Sequence, residues 1–108
     1  MPLRFTLNVQ SASTTAATAS RAYILNQFAA PMNVGFGVVR VSGDVNFRVQ
    51  HTFEQSISAA TTWFDHSSVS GKTANIDGNY AFPINAVRLQ LVSASAGQIE
   101  LNGWQTGN

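Results

Sequence analysis

Val45-Asn46-Phe47-Arg48-Val49-Gln50-His51-Thr52-Phe53-Glu54 is the stretch on which the fold turns. Its odd positions are apolar or aromatic and its even positions polar, the period of two that marks a β-strand with one dry face rather than an amphipathic helix. The same alternation runs through Leu3, Phe5, Leu7 and Val9, through Val87, Leu89 and Leu91, and through Ile99, Leu101 and Gly103. His51 falls in the apolar phase. It reads as a core or sheet-edge histidine with one hydrogen-bond partner.

Turn chemistry punctuates these runs. Ser42-Gly43-Asp44 separates two apolar-rich segments, Asp77-Gly78-Asn79 carries the positive-φ chemistry of a tight hairpin, and Ala94-Ser95-Ala96-Gly97 joins the last two strands. Pro83 stands just ahead of the Ile84 to Val92 run, where a strand can begin without losing a ladder bond. Strands are therefore expected near 3–9, 21–28, 34–41, 45–54, 72–76, 79–82, 85–93 and 98–105. Eight short strands make an all-β chain, a single-domain antiparallel β-sandwich or jelly roll over residues 1–108. Residues 11–20 hold neither a large apolar side chain nor a charge. They form either a flexible connection or an extended stretch lying against a neighbouring subunit. Residues 56–62 read as a loop.

Length and composition bound the function. At 108 residues, with six Lys and Arg against five Asp and Glu and no cysteine, the chain buries about 65% of its unfolded surface. That suffices for one core without staples. Disulfides, Cys-ligated zinc and iron–sulfur clusters are excluded. Charged residues are 10% of the chain, against about 25% in ordinary soluble domains, and 36 Ser, Thr, Asn and Gln supply the polarity instead. A net charge of +1 gives no electrostatic footprint for nucleic acid or an anionic membrane. Weak self-repulsion favours association, so a homo-oligomer is expected. No run reaches the length of a membrane span, and the alternating segment after Met1-Pro2-Leu3-Arg4 is not a secretory leader.

The stock of catalytic groups is thin. Asp44, Glu54, Asp65, Asp77, Glu100, His51 and His66 are the only acids and imidazoles, and none is spaced as a metal-ligand pair. No Gly-x-Ser-x-Gly elbow or phosphate-binding loop is present. Val34-Gly35-Phe36-Gly37-Val38 lacks the third glycine of a dinucleotide fingerprint, and its two glycines read as a bulge or a close-packed backbone. The expectation is no enzyme, with no catalytic, cofactor-binding or metal residues and no small-molecule substrate.

Aromatic and arginine side chains say more. Phe5, Phe36, Phe47, Phe53 and Phe82 fall in strand segments and read as core. Trp63 and Phe64 precede Asp65 and His66 in what reads as a loop, where an aromatic pair either plugs an open sandwich end or meets a partner. Trp104, in the polar phase of its strand, faces the same choice. Arg48 and Arg88 belong to a set of strand arginines that are either solvated on their strand faces or at the rim of a protein contact. Trp63, Phe64, Trp104, Arg48 and Arg88 are thus the interface candidates.

The run from Val45 to Glu54, then Thr62-Trp63-Phe64-Asp65-His66, then Pro83-Ile84-Asn85-Ala86-Val87-Arg88-Leu89-Gln90-Leu91, closing on Gly97-Gln98-Ile99-Glu100-Leu101 and Gln105, resembles small virion proteins of tailed bacteriophages. The resemblance covers about residues 34–105. It implies a β-sandwich that is a structural part of the particle, in a capsid-decorating, cementing or tail-associated position, without enzymatic activity or cofactor. The leading expectation is a capsid decoration or cement protein made in the host cytoplasm and carried on the capsid surface, with the major capsid protein or another virion protein as partner. A tail, neck or fibre position is the alternative within that class. A carbohydrate-binding module using Trp63 and Trp104 is the alternative outside it.

Overall fold

The computed structural model describes residues 3–11, 18–25, 33–92 and 96–105. Among these residues nine strands run in order: β1 (Leu3–Ser11), β2 (Thr18–Ala19), β3 (Tyr23–Ile24), β4 (Val34–Asp44), β5 (Phe47–Thr52), β6 (Phe64–Asp65), β7 (Ile76–Tyr80), β8 (Ala86–Leu91) and β9 (Ala96–Gln105). One sheet has the order β1-β9-β4-β7, and the other runs β2-β8-β5-β6 with β3 also on β8. All the strand pairs are antiparallel. The expected β-sandwich is what the chain forms.

The alternation read from the sequence sets which side of each sheet is dry. Phe5, Leu7 and Val9 from β1, Val34, Phe36 and Val38 from β4, and Ile99 and Leu101 from β9 are buried against Phe47 and Val49 from β5 and Val87, Leu89 and Leu91 from β8. Phe47 is fully enclosed and also clips a loop in place, exchanging backbone hydrogen bonds with Lys72 at 2.9 and 3.0 Å. The first and last strands pair over nine residues, from Leu3 opposite Gln105 to Ser11 opposite Gly97.

Several expected boundaries move. Asp77, Gly78 and Asn79 are not a hairpin but the middle of β7, opposite Gly37, Phe36 and Gly35. Gly78 serves a packing need: a Cβ there would lie 2.9 Å from the Phe36 ring. The expected strands at 72–76 and 79–82 therefore become one strand plus the isolated bridge at Lys72. Gly43 does take positive φ, at 77°, yet β4 continues through it to Asp44 behind a register shift between Arg40 and Ser42. The strand expected at 21–28 is Tyr23–Ile24 where described, and residues 26–28, like 12–17 of the small-residue segment and 93–95 of the last connection, lie outside the described residues.

Gly35 and Gly37 mark neither a bulge nor a close approach. Neither has positive φ, and a Cβ on either would meet nothing within 4 Å. Glycine here only adds backbone freedom to the unfolded chain. Gly35→Ala and Gly37→Ala should each stabilise by about 0.5 kcal/mol, seen as a melting temperature higher by about 2 °C. A fall on either substitution would show that the bare backbone has a use within the monomer.

Candidate functional site

Two strands carry their apolar phase past the point where the facing sheet covers it. Along β5 the dry-side residues are Phe47, Val49 and His51, all buried, and the next in phase, Phe53, is 57% exposed. Along β7 buried Tyr80 is followed in the same phase by Phe82, 46% exposed. Edge strand β6 pairs Phe64 directly opposite His51, so its ring points to the same side and is 50% exposed. The result is a half-exposed triad of phenyl rings at one end of the sandwich. Phe53 lies 5.8 Å from Phe64 and 6.3 Å from Phe82, centroid to centroid.

His51 is the hub of this aromatic end. Its ring meets Phe53 at 5.4 Å, Phe64 at 6.0 Å, Phe82 at 5.7 Å and Tyr80 at 4.9 Å. Its Nδ1 lies 2.9 Å from the Tyr80 hydroxyl. Burial, and secondarily the Asp65 carboxylate, push the Tyr80 phenol far above its ordinary value, so the hydroxyl keeps its proton. Burial also lowers the His51 imidazole, with His66 adding to the effect and Asp65 opposing it. A neutral phenol donating to a neutral imidazole is the pairing that gives the buried hydroxyl an acceptor.

Two clefts flank the rings. One, of about 300 Å³, is lined by Phe53, Gln55, Pro83, Ile84 and Asn85. The other, of about 330 Å³, lies between Phe82 and the His66 turn and includes Ser67, Ser68 and Asn79. In that turn the Ser68 backbone N–H donates to His66 Nδ1 at 3.0 Å, so the ring's own proton sits on Nε2 and is donated to the Asn79 carbonyl at 2.8 Å. This bond ties the edge strands of the two sheets together. Among the described residues no three His, Asp or Glu side chains are grouped to hold a metal ion.

The five residues singled out in the sequence separate onto three surfaces. Phe64 joins the aromatic end. Trp63 is half-buried on the outer side of the β8-β5-β6 sheet, its ring under the Arg88 guanidinium at 4.5 Å. Arg88 Nε donates to Gln50 Oε1 at 2.7 Å, and Arg48 Nε donates to Gln90 Oε1 at 2.7 Å. Arg48 also pairs with Asp65 at 3.3 Å. Burial acts to raise the Asp65 carboxyl, but hydrogen bonds from Gln50, Ser70 and Arg48 together with the Arg48 charge outweigh it and hold the group below its ordinary value. These arginines are engaged within their own sheet. Trp104 stands 53% exposed on the outer face of the other sheet, with Arg4 5.9 Å from its ring.

Phe53 and Phe82, expected in the core, are half-exposed, and alternation alone misplaces them. Alternation reports which side of a strand a residue takes, and the length of the opposing sheet decides whether anything covers it. The available signal was adjacency to strand ends: Phe53 leads into Glu54-Gln55-Ser56, and Phe82 stands directly before Pro83.

Known proteins can be set against this geometry. The fold is shared with a prophage-derived protein. The crystal structure of the SPBc2 prophage-derived protein YomS superposes with a TM-score of 0.60 at 12% identity, covering 99% of this chain and 96% of that one. At that identity the likeness establishes the fold. A chain of the disulfide-linked pili of Bacillus endospore appendages gives a TM-score of 0.44 at 12% identity over 99% of this chain and 89% of that one, too loose to carry an argument. No protein-family model and no curated protein matches the sequence.

Proposed function

We propose that the protein is a structural component of a bacteriophage virion, a decoration or cement protein that docks on the assembled head through its aromatic end. The observation that carries this reading is the half-exposed Phe53, Phe64 and Phe82 triad. Burying phenyl area is favourable and non-directional, and three contiguous rings left in water form the kind of patch that marks a contact surface. The sandwich shared with prophage-derived YomS supports the phage setting.

Magnitudes favour a lattice over a free dimer. A phenyl side chain offers about 200 Å² to a contact, so three rings near half exposure offer about 300 Å². A stable pairwise interface needs about 800 Å² per partner. The triad can be the core of a contact but not the whole of a stable dimer. On a repeating shell many such contacts act together. The surrounding Gln55, Asn85, Ser67, Ser68 and Asn79 are uncharged and Asp65 is paired with Arg48, which suits a polar, wet rim. The partner is then the major capsid protein, in its assembled form.

The mechanism is linkage: a protein that binds the assembled shell better than its separate subunits shifts the equilibrium toward the shell. It assigns the protein no reaction and no cofactor. Heads with and without the protein should differ in the temperature at which they rupture, the decorated ones holding longer. Equal rupture temperatures would remove the cementing role.

A further inference from the structure

The aromatic end is built around an imidazole, where an aliphatic residue would have packed as well. His51 touches all three exposed rings and Tyr80, and it is bonded at Nδ1 to a buried phenol. Resting on the docking reading above, we infer that this surface is pH-gated: it holds its partner while His51 is neutral and releases it when His51 takes a second proton.

The steps follow from the hydrogen bonding. The Tyr80 hydroxyl is buried and its one hydrogen-bond partner among the described residues is His51 Nδ1, so we assign the phenol as donor there and the imidazole proton to Nε2. A proton added at Nδ1 meets the phenol's own proton. Tyr80 must rotate its hydroxyl to accept, giving up the one hydrogen bond it donates among the described residues and turning its proton toward the cleft that it lines with His51. A charge also appears beneath the three rings, where neutral packing stood. The rings above His51 then have to shift or admit water.

Of the groups facing His51, only Asp65 favours that charge, and burial together with His66 outweighs it. From β6, Asp65 is already held by Arg48, Gln50 and Ser70. Along its own chain, Glu54 accepts from the Thr62 backbone N–H at 2.7 Å. From the turn after β6, His66 is fixed by Ser68 and Asn79 and disfavours a charge on His51. From β7, Tyr80 is kept neutral by burial. The other buried imidazole, His66, meets Tyr80 edge-on at 4.8 Å at this same end, so the change stays at this end of the sandwich.

The direction of the pH effect is set by burial, which lowers His51 from its ordinary 6.5. The unfolded chain, with its histidine at the ordinary value, binds this proton more readily than the folded chain. The packed surface is therefore complete above pH 6.5 and is lost as pH falls through the lowered value.

The test uses the full chain with two readouts. The first is an NMR titration of the free protein from pH 8 to 4, following the His51 imidazole and the Phe53, Phe64 and Phe82 rings. The second is co-sedimentation with heads lacking the protein, at pH 7.5 and 5.0, for wild type and His51→Gln. The expected results are His51 and the three rings titrating together below pH 6.5, and wild-type binding at least tenfold weaker at pH 5.0, with His51→Gln changing less than twofold. Rings unmoved while His51 titrates, or a His51→Gln protein as acid-sensitive as wild type, would overturn the gate and leave docking standing. No binding to heads at either pH would overturn the docking reading itself. The NMR titration decides the gate for the wild type even if the variant fails to fold.

Discussion

The double substitution Phe53→Gln and Phe82→Gln should reduce binding to assembled heads by at least about 100-fold and leave a folded sandwich. Anchoring aromatics at an interface centre are each worth about 2 kcal/mol or more, roughly 30-fold in affinity, and two of the three exposed rings are removed. Glutamine keeps a side chain of similar reach over the flanking clefts but cannot supply the apolar face. Because both rings are about half exposed, the stability loss is on the order of 2 kcal/mol, small against the 5–15 kcal/mol of a typical domain. Circular dichroism should report a cooperative melt about 8–10 °C lower. A double variant that loads onto heads at the wild-type level would show that the triad is not the contact.

The largest effect on stability comes from the same chemistry six residues earlier. Phe47→Ala should cost about 3–5 kcal/mol, a melting temperature lower by about 12–25 °C, and so bring the protein close to unfolding at 37 °C. Phe47 is fully buried, pairs with Leu91 across the sheet and holds the Lys72 bridge. Phe53→Ala, in the same strand phase, should cost only about 1 kcal/mol, because more than half of that side chain already faces water. Equal losses at the two positions would mean that Phe53 is covered in the monomer and that the aromatic end is part of the core.

That pair also shows what alternation can and cannot reveal. It placed Phe47, Val49, His51 and Phe53 on one side of a strand, and all four do lie there. It could not report that β5 ends at Thr52 and β7 at Tyr80, which is what leaves Phe53 and Phe82 uncovered. The sandwich was legible because period-two patterning is local, and β1, β5, β8, β9 and the first half of β4 carry it. Gly78 was misplaced because a glycine admitting an aromatic ring and a glycine in a hairpin read alike in one sequence. Phe64 was legible as a contact candidate, while Trp63, its neighbour, faces the opposite side of the sheet under Arg88. Neighbours on a strand point apart, so a sequence pair need not be a spatial pair.

The account stands or falls on what covers Phe53, Phe64 and Phe82 in the particle that carries the protein. A cryo-EM map of mature virions at side-chain resolution measures this directly. The predicted result is tens to hundreds of sandwiches on the head, each with the three phenyl rings buried against the shell. Sandwiches on the head with those rings facing solvent, or particles lacking the protein, would contradict it.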